Sequence, residues 1–113
     1  MSHRAKSIAA LQSLKSPWVI AHRGFSGQFP ENTLVAFEAA VGGRADMIEL
    51  DVSLSRERVP LVIHDDTLER TTSGSGRVQD LTLPELQRLD AGNWFGEPFR
   101  GARIPTLEEV FRR

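Results

Sequence analysis

The spacing of apolar positions changes several times along the chain, and each change marks an element. Ile8, Leu11 and Leu14 recur at helical spacing between Lys6, Gln12 and Lys15, predicting a short amphipathic helix over Ala5–Leu14 that Pro17 stops. Trp18–His22, "WVIAH", is a short, partly β-branched apolar run that reads as a buried strand. A glycine-punctuated loop, "RGFSGQFPE", follows it. Asn32 is then placed to cap a helix over Thr33–Val41, in which Leu34, Phe37 and Val41 share a face. Gly42 and Gly43 offer a left-handed exit.

The next segment, "DMIELDVSL", alternates with period two and predicts a second strand. Strand, helix and strand within about thirty residues form a βαβ unit, which implies parallel strands and a right-handed crossover. The fold class is therefore α/β. In the second strand Ile48, Leu50 and Val52 point one way, while Met47, Glu49, Asp51 and Ser53 point the other. An open sheet covered by helices on both sides needs both faces apolar, whereas a closed barrel tolerates polar groups inside, near the strands' C-terminal ends. The polar second face favours a barrel and leaves the open sheet as the alternative.

Only "SRERV" separates this strand from "PLVIH", Pro60–His64. A parallel return needs a crossover of about a dozen residues, so the connection makes an antiparallel hairpin, and the hairpin brings His64 back to the level of Glu49 and Asp51. Residues 67–103 read as a small insertion. It carries one helix running from Leu83 or Pro84 to Leu89, with Thr82 as its N-cap. "IPTLEEVFRR" starts a further helix capped by Thr106.

Composition narrows the function. Fourteen basic residues against fifteen acidic ones give a formal charge of -1, so no global field selects nucleic acid or an anionic membrane, and an anionic ligand must be held locally. Zero cysteines exclude disulfides, thiolate metal sites and a cysteine nucleophile. The N-terminal apolar stretch is too short and interrupted for a signal segment or a transmembrane span, and the expected location is cytoplasmic.

Three short stretches carry candidate chemistry. Glu49 and Asp51, at i and i+2 on one face, suit a hard divalent cation such as Mg²⁺ or Ca²⁺, which takes oxygen ligands from one or two carboxylates with water and phosphate. The alternative for an isolated pair is a solvated edge strand salt-bridged to Arg56 and Arg58. His22 and Arg23 follow the first strand, where α/β folds put reactive groups, and pair a group titrating near neutrality with a bidentate cation suited to phosphate, although "HRG" by itself also suits a satisfied core histidine and a surface arginine. Gly24 permits close backbone approach. His64 precedes Asp65 and Asp66; a carboxylate beside the imidazole could fix its tautomer, although "HDD" also suits a turn. Under the topology above, all of these meet at one end of adjacent strands. Two imidazoles as acid and base, with cations on the phosphoryl oxygens, are the parts needed for phosphodiester cleavage.

At these residues the chain resembles the glycerophosphodiester phosphodiesterase family, of the phospholipase C-like type. The matching text is "AHRGFSGQFPENTLVAFEAA", "IELDV", "PLVIHDDTLERTTSGSGRV", "LTLPELQRLDAGNWF" and "RIPTLEEVF". The resemblance implies a (β/α)₈ barrel with a small insertion after strand two, of which this chain is the N-terminal portion, and metal-dependent hydrolysis of glycerophosphodiesters to an alcohol and glycerol 3-phosphate. It further implies His22 and His64 as the acid–base pair, Arg23 as phosphate clamp, Glu49 and Asp51 as ligands to Mg²⁺ or Ca²⁺, and a contribution from Glu31. Pro30, Glu31, Asn32 and Thr33 resemble the motif that shapes the first loop, and residues 67–103 resemble a cap over the substrate. The family's Thr-Asp-Gly turn before the second histidine is here replaced by Ser55, Arg56, Glu57 and Arg58. Its further metal-binding glutamate and a lysine fall beyond Arg113. Two other expectations stand beside hydrolysis: a silent truncated product acting as a binding module, and attack by a substrate hydroxyl giving a cyclic phosphate.

Overall fold

The computed structural model describes residues 18–112, so the helix expected over Ala5–Leu14 lies outside them. Strand β1 (Ile20–His22) leads through a turn-rich loop into helix α1 (Leu34–Gly42), which returns to β2 (Met47–Glu49). β1 and β2 pair in parallel, with Ile20 opposite Met47, Ala21 opposite Ile48 and His22 opposite Glu49. The expected βαβ unit is therefore present.

The alternating run over "DMIELDVSL" is not one strand. It breaks at Leu50–Asp51 and resumes as β3 (Val52–Leu54), which pairs antiparallel with β4 (Pro60–Val62). One alternating sequence serves two partners, because β2 bonds to β1 while β3 turns to the hairpin. Val52 lies opposite Val62, and the Ile63 amide donates to the Asp51 carbonyl at 3.0 Å. Continuing that register sets His64 opposite Leu50, between Glu49 and Asp51. The hairpin turn closes through Arg58, whose φ of 69° is left-handed, while the Ser55 hydroxyl accepts from the Val59 amide at 3.0 Å.

β4 divides the interior in two by its alternation. Leu61 and Ile63 join Leu68, Val78, Leu86, Ala91 and Ile104 in one core, where residues 67–103 pack on β4. Val62 joins Phe37, Ala40, Ile48 and Val110 in the other, between α1, β2 and α3 (Leu107–Phe111). A strand buried on both faces reads as the continuous run "PLVI" rather than as an alternation. Residues 67–103 contain α2 (Leu83–Gln87). Both α2 and α3 open with a capping box, Thr82 with Glu85 and Thr106 with Glu109, in which the threonine hydroxyl and the glutamate carboxylate satisfy each other's backbone amides.

Four further expectations need correction. Thr33, not Asn32, caps α1: its hydroxyl accepts from the Ala36 amide at 3.3 Å, while Asn32 takes φ 56° and turns its amide elsewhere. The left-handed exit belongs to Arg44 at φ 60°, since Gly42 is still helical and Gly43 has φ −82°. The buried stripe of α1 is Ala36, Phe37 and Ala40, with Val41 55% exposed. β1 is likewise not buried. Val19 and Ile20 are more than half exposed because β2 is the only strand beside them among the described residues.

Candidate active site

Parallel pairing aligns the C-terminal ends of β1 and β2, and the acids and bases gather there. His22 sits opposite Glu49, and its Nε2 lies 2.9 Å from Glu49 Oε1, with both side chains more than half exposed. Arg23 turns sharply out of β1 at φ 58°, held by its own amide donating to the Glu49 carbonyl at 2.7 Å. That turn aims its guanidinium across the loop. Nε donates to Asp51 Oδ2 at 3.2 Å, and Nη1 lies 3.5 Å from Glu31 Oε2.

Gly24 makes this turn possible. At φ 81° it packs so close to α1 that a Cβ would stand 2.8 Å from the Ala36 carbonyl carbon. The close approach allowed by glycine is thus to the helix backbone. Asn32, buried at the end of the loop, donates from Nδ2 to Asp51 Oδ2 at 3.1 Å, and its own amide closes the loop on the Arg23 carbonyl at 2.9 Å. Its Oδ1 is a buried acceptor with no partner among the described residues.

His64 leaves β4 with Nδ1 2.7 Å from Asp65 Oδ1. Asp65 in turn accepts from Arg70, and Arg70 also forks the Glu31 carboxylate at 3.0 and 2.8 Å. The Arg70 hydrogen bonds, followed by the His64 ring, hold the Asp65 carboxyl well below the usual range. Reciprocally, Asp65 first and then Glu31 raise the affinity of Arg70 for its proton. Glu31, Asn32 and His64 line one small pocket together with Thr71, Thr72 and Ile104.

A continuous polar chain therefore runs from His64 through Asp65, Arg70, Glu31 and Arg23 to Asp51, while His22 and Glu49 pair alongside it. Glu49 and Asp51 find their partners in His22 and Arg23 rather than in Arg56 and Arg58. Arg70 escaped the sequence reading. It lies in a polar stretch, "LERTT", where no periodicity or spacing separates it from a solvated surface arginine.

The donor set bears on a cation. No group of three or more histidines and carboxylates able to hold a metal ion occurs among the described residues. Glu49 and Asp51 supply hard oxygens nonetheless, and both hydrogen bonds to Asp51 fall on Oδ2, so Oδ1 accepts none from the described residues. Four carboxylates, Glu31, Glu49, Asp51 and Asp65, meet only two guanidinium groups in this network, which leaves two negative charges. The residues present fit a hard divalent ion completed by water and a phosphate.

Comparison with known proteins gives the arrangement its relatives. A family model described as "Glycerophosphoryl diester phosphodiesterase family" matches residues 22–113. The glycerophosphodiester phosphodiesterase of Caldanaerobacter subterraneus subsp. tengcongensis is 58% identical over 93 residues, covering 82% of this chain and 38% of that protein. Among solved structures, the glycerophosphodiester phosphodiesterase of Agrobacterium tumefaciens aligns with a TM-score of 0.81 and 45% identity, over 83% of this chain and 41% of its own. A phosphodiesterase of Oleispira antarctica, solved in complex with the product sn-glycerol-3-phosphate, aligns with a TM-score of 0.83 and 47% identity, over 85% of this chain and 39% of its own. The chain thus spans about 40% of the length of these relatives. Its α/β fold is that of the N-terminal portion of their (β/α)₈ barrel. The matched span opens on His22 and contains Arg23, Glu31, Glu49, Asp51 and His64, and on that span the chain belongs to the glycerophosphoryl diester phosphodiesterase family.

Proposed function

We propose that the protein carrying this chain hydrolyses glycerophosphodiesters to an alcohol and glycerol 3-phosphate. The observation that carries the proposal is the polar chain joining His64 to Arg23 and Asp51 at the strand ends, beside the His22–Glu49 pair. The relative crystallised with sn-glycerol-3-phosphate supports the same product.

Hydrolysis of a phosphodiester needs a base to take a proton from water, an acid to give one to the leaving alcohol, and positive charge on the phosphoryl oxygens. His22 and His64 supply the two proton carriers. Asp65 accepts from Nδ1 of His64, which leaves Nε2 as the nitrogen that exchanges the reaction proton. Arg23 clamps the phosphate: its Nη2 is not engaged by the described residues, and the guanidinium is held in place by Asp51 and Glu31. Glu31 borders the substrate beside the Arg23 guanidinium, held there by the Arg70 fork.

Glu49 and Asp51 would hold the divalent cation, Mg²⁺ or Ca²⁺, which when bound acts as a Lewis acid on the phosphoryl oxygens. The exposed His22–Glu49 pair costs little to part when the carboxylate turns to a cation. Residues 67–103 serve as the cap over the substrate, and residues 18–66 carry the catalytic strands. No helix among the described residues is long and apolar enough to cross a membrane, in keeping with a cytoplasmic enzyme acting on a small soluble diester.

The test is release of glycerol 3-phosphate from glycerophosphocholine by the purified protein. Release that EDTA abolishes and added Mg²⁺ or Ca²⁺ restores is expected. No release with either cation would overturn the activity, and release indifferent to EDTA would overturn the metal assignment.

A further inference from the structure

Arg70 comes from the inserted segment, six residues beyond His64, yet it spends four of its five N–H donors inside the site. Nε and Nη2 fork Asp65, at 2.8 Å to Oδ2 and 3.0 Å to Oδ1. Nη1 and the second Nη2 hydrogen fork Glu31, at 3.0 and 2.8 Å. A one-point ion pair at a surface contributes little and fixes no orientation. Two forks on one rigid plane differ, because each carboxylate loses its freedom to rotate and their mutual angle is set by the guanidinium. The Glu31 side chain is only 10% exposed and that of Asp65 only 23%, so water competes weakly for either.

The consequence falls on His64. Asp65 is its immediate neighbour, and a free aspartate there can swing between the ring and solvent. Pinned by Arg70, it keeps Oδ1 2.7 Å from Nδ1. The carboxylate accepts, so the ring's proton belongs on Nδ1 and the lone pair on Nε2.

We propose that Arg70 is a positioning residue: by forking Asp65 it holds His64 as the Nδ1–H tautomer, and by forking Glu31 it ties the inserted segment to the loop that carries Arg23. This rests on the acid–base role given to His64 above. Lysine cannot take over the task, since one ammonium offers three donors from a single point and cannot fork two carboxylates.

The test is long-range ¹H–¹⁵N NMR of the full-length, ¹⁵N-histidine-labelled protein above the imidazole titration, together with steady-state kinetics on glycerophosphocholine. In the unmodified protein His64 shows a protonated Nδ1 and a bare Nε2. Arg70→Gln gives mixed tautomers at His64 with His22 unchanged, and lowers kcat about 10–100-fold, as loss of a residue orienting a site histidine does, with little change in KM. Arg70→Lys behaves like Arg70→Gln. Asp65→Asn, which keeps the Arg70–Glu31 fork, reproduces the tautomer change and decides the matter should the position-70 variants fail to fold. An unmixed Nδ1–H signature in Arg70→Gln or Asp65→Asn overturns the proposal, as does wild-type kcat in Arg70→Lys. A wild-type protein that releases no glycerol 3-phosphate removes the proposed function, and the NMR result then still judges Arg70.

Discussion

Asp65 takes hydrogen bonds from Arg70, the larger influence on its ionisation, and from the His64 ring, and both keep it ionised in the folded protein below the pH at which a free aspartate protonates. A depressed folded-state value fixes the sign of its contribution. The stabilisation is complete above the ordinary aspartate value of about 3.9 and is lost as the pH falls below it, toward the folded-state value. Asp65→Asn removes that contribution at every pH. Urea midpoints at pH 7 and pH 3 are therefore expected to fall less between the two pH values in the Asn variant than in the wild type. Equal falls would mean that the Arg70–Asp65 contact contributes nothing to stability.

At the scale of the elements, the hairpin before His64 matters most, because its register decides where that imidazole lies. Its turn places Arg58 at φ 69°, a conformation that costs an L-residue about 1–2 kcal/mol. Glycine removes that strain and adds unfolded-state freedom of about 0.5–1 kcal/mol. Arg58→Gly is expected to raise the urea midpoint, by a gain of up to about 1 kcal/mol from the difference between these two terms. A lower midpoint would mean that the arginine side chain makes a contact outweighing its backbone strain. Much of this level was legible in advance. Thr82 with Glu85 and Thr106 with Glu109 are local capping signals, and the five residues between Leu54 and Pro60 permit only a hairpin. The break at Leu50–Asp51 was not legible, because alternation records which side a residue faces and is silent on which partner the backbone bonds. The cap of α1 was misread by one residue for a related reason: Asn32 is as good a cap as Thr33, and a contact with Asp51, 19 residues away, decides between them.

Across the molecule, β4 joins the two cores and delivers His64 to the site, so packing and chemistry share one strand. His22, Arg23, Glu49, Asp51 and His64 were identifiable as candidates because motif and topology converge on them. Arg70 was not, since its role exists only once residues 31, 65 and 70 are folded together. Exposed Ile20 on β1 with Val19 just before it, and Val52 and Leu54 on β3, mark strand surfaces of the kind that barrel closure covers, which agrees with the chain's span of about 40% of its relatives. The catalytic assignment depends on both imidazoles serving one phosphate. The most direct measurement is kcat for glycerophosphocholine in the full-length protein carrying His22→Ala or His64→Ala. Each is predicted to fall by roughly 10² or more, as loss of a general acid or base does; a wild-type rate in either variant would contradict the shared site.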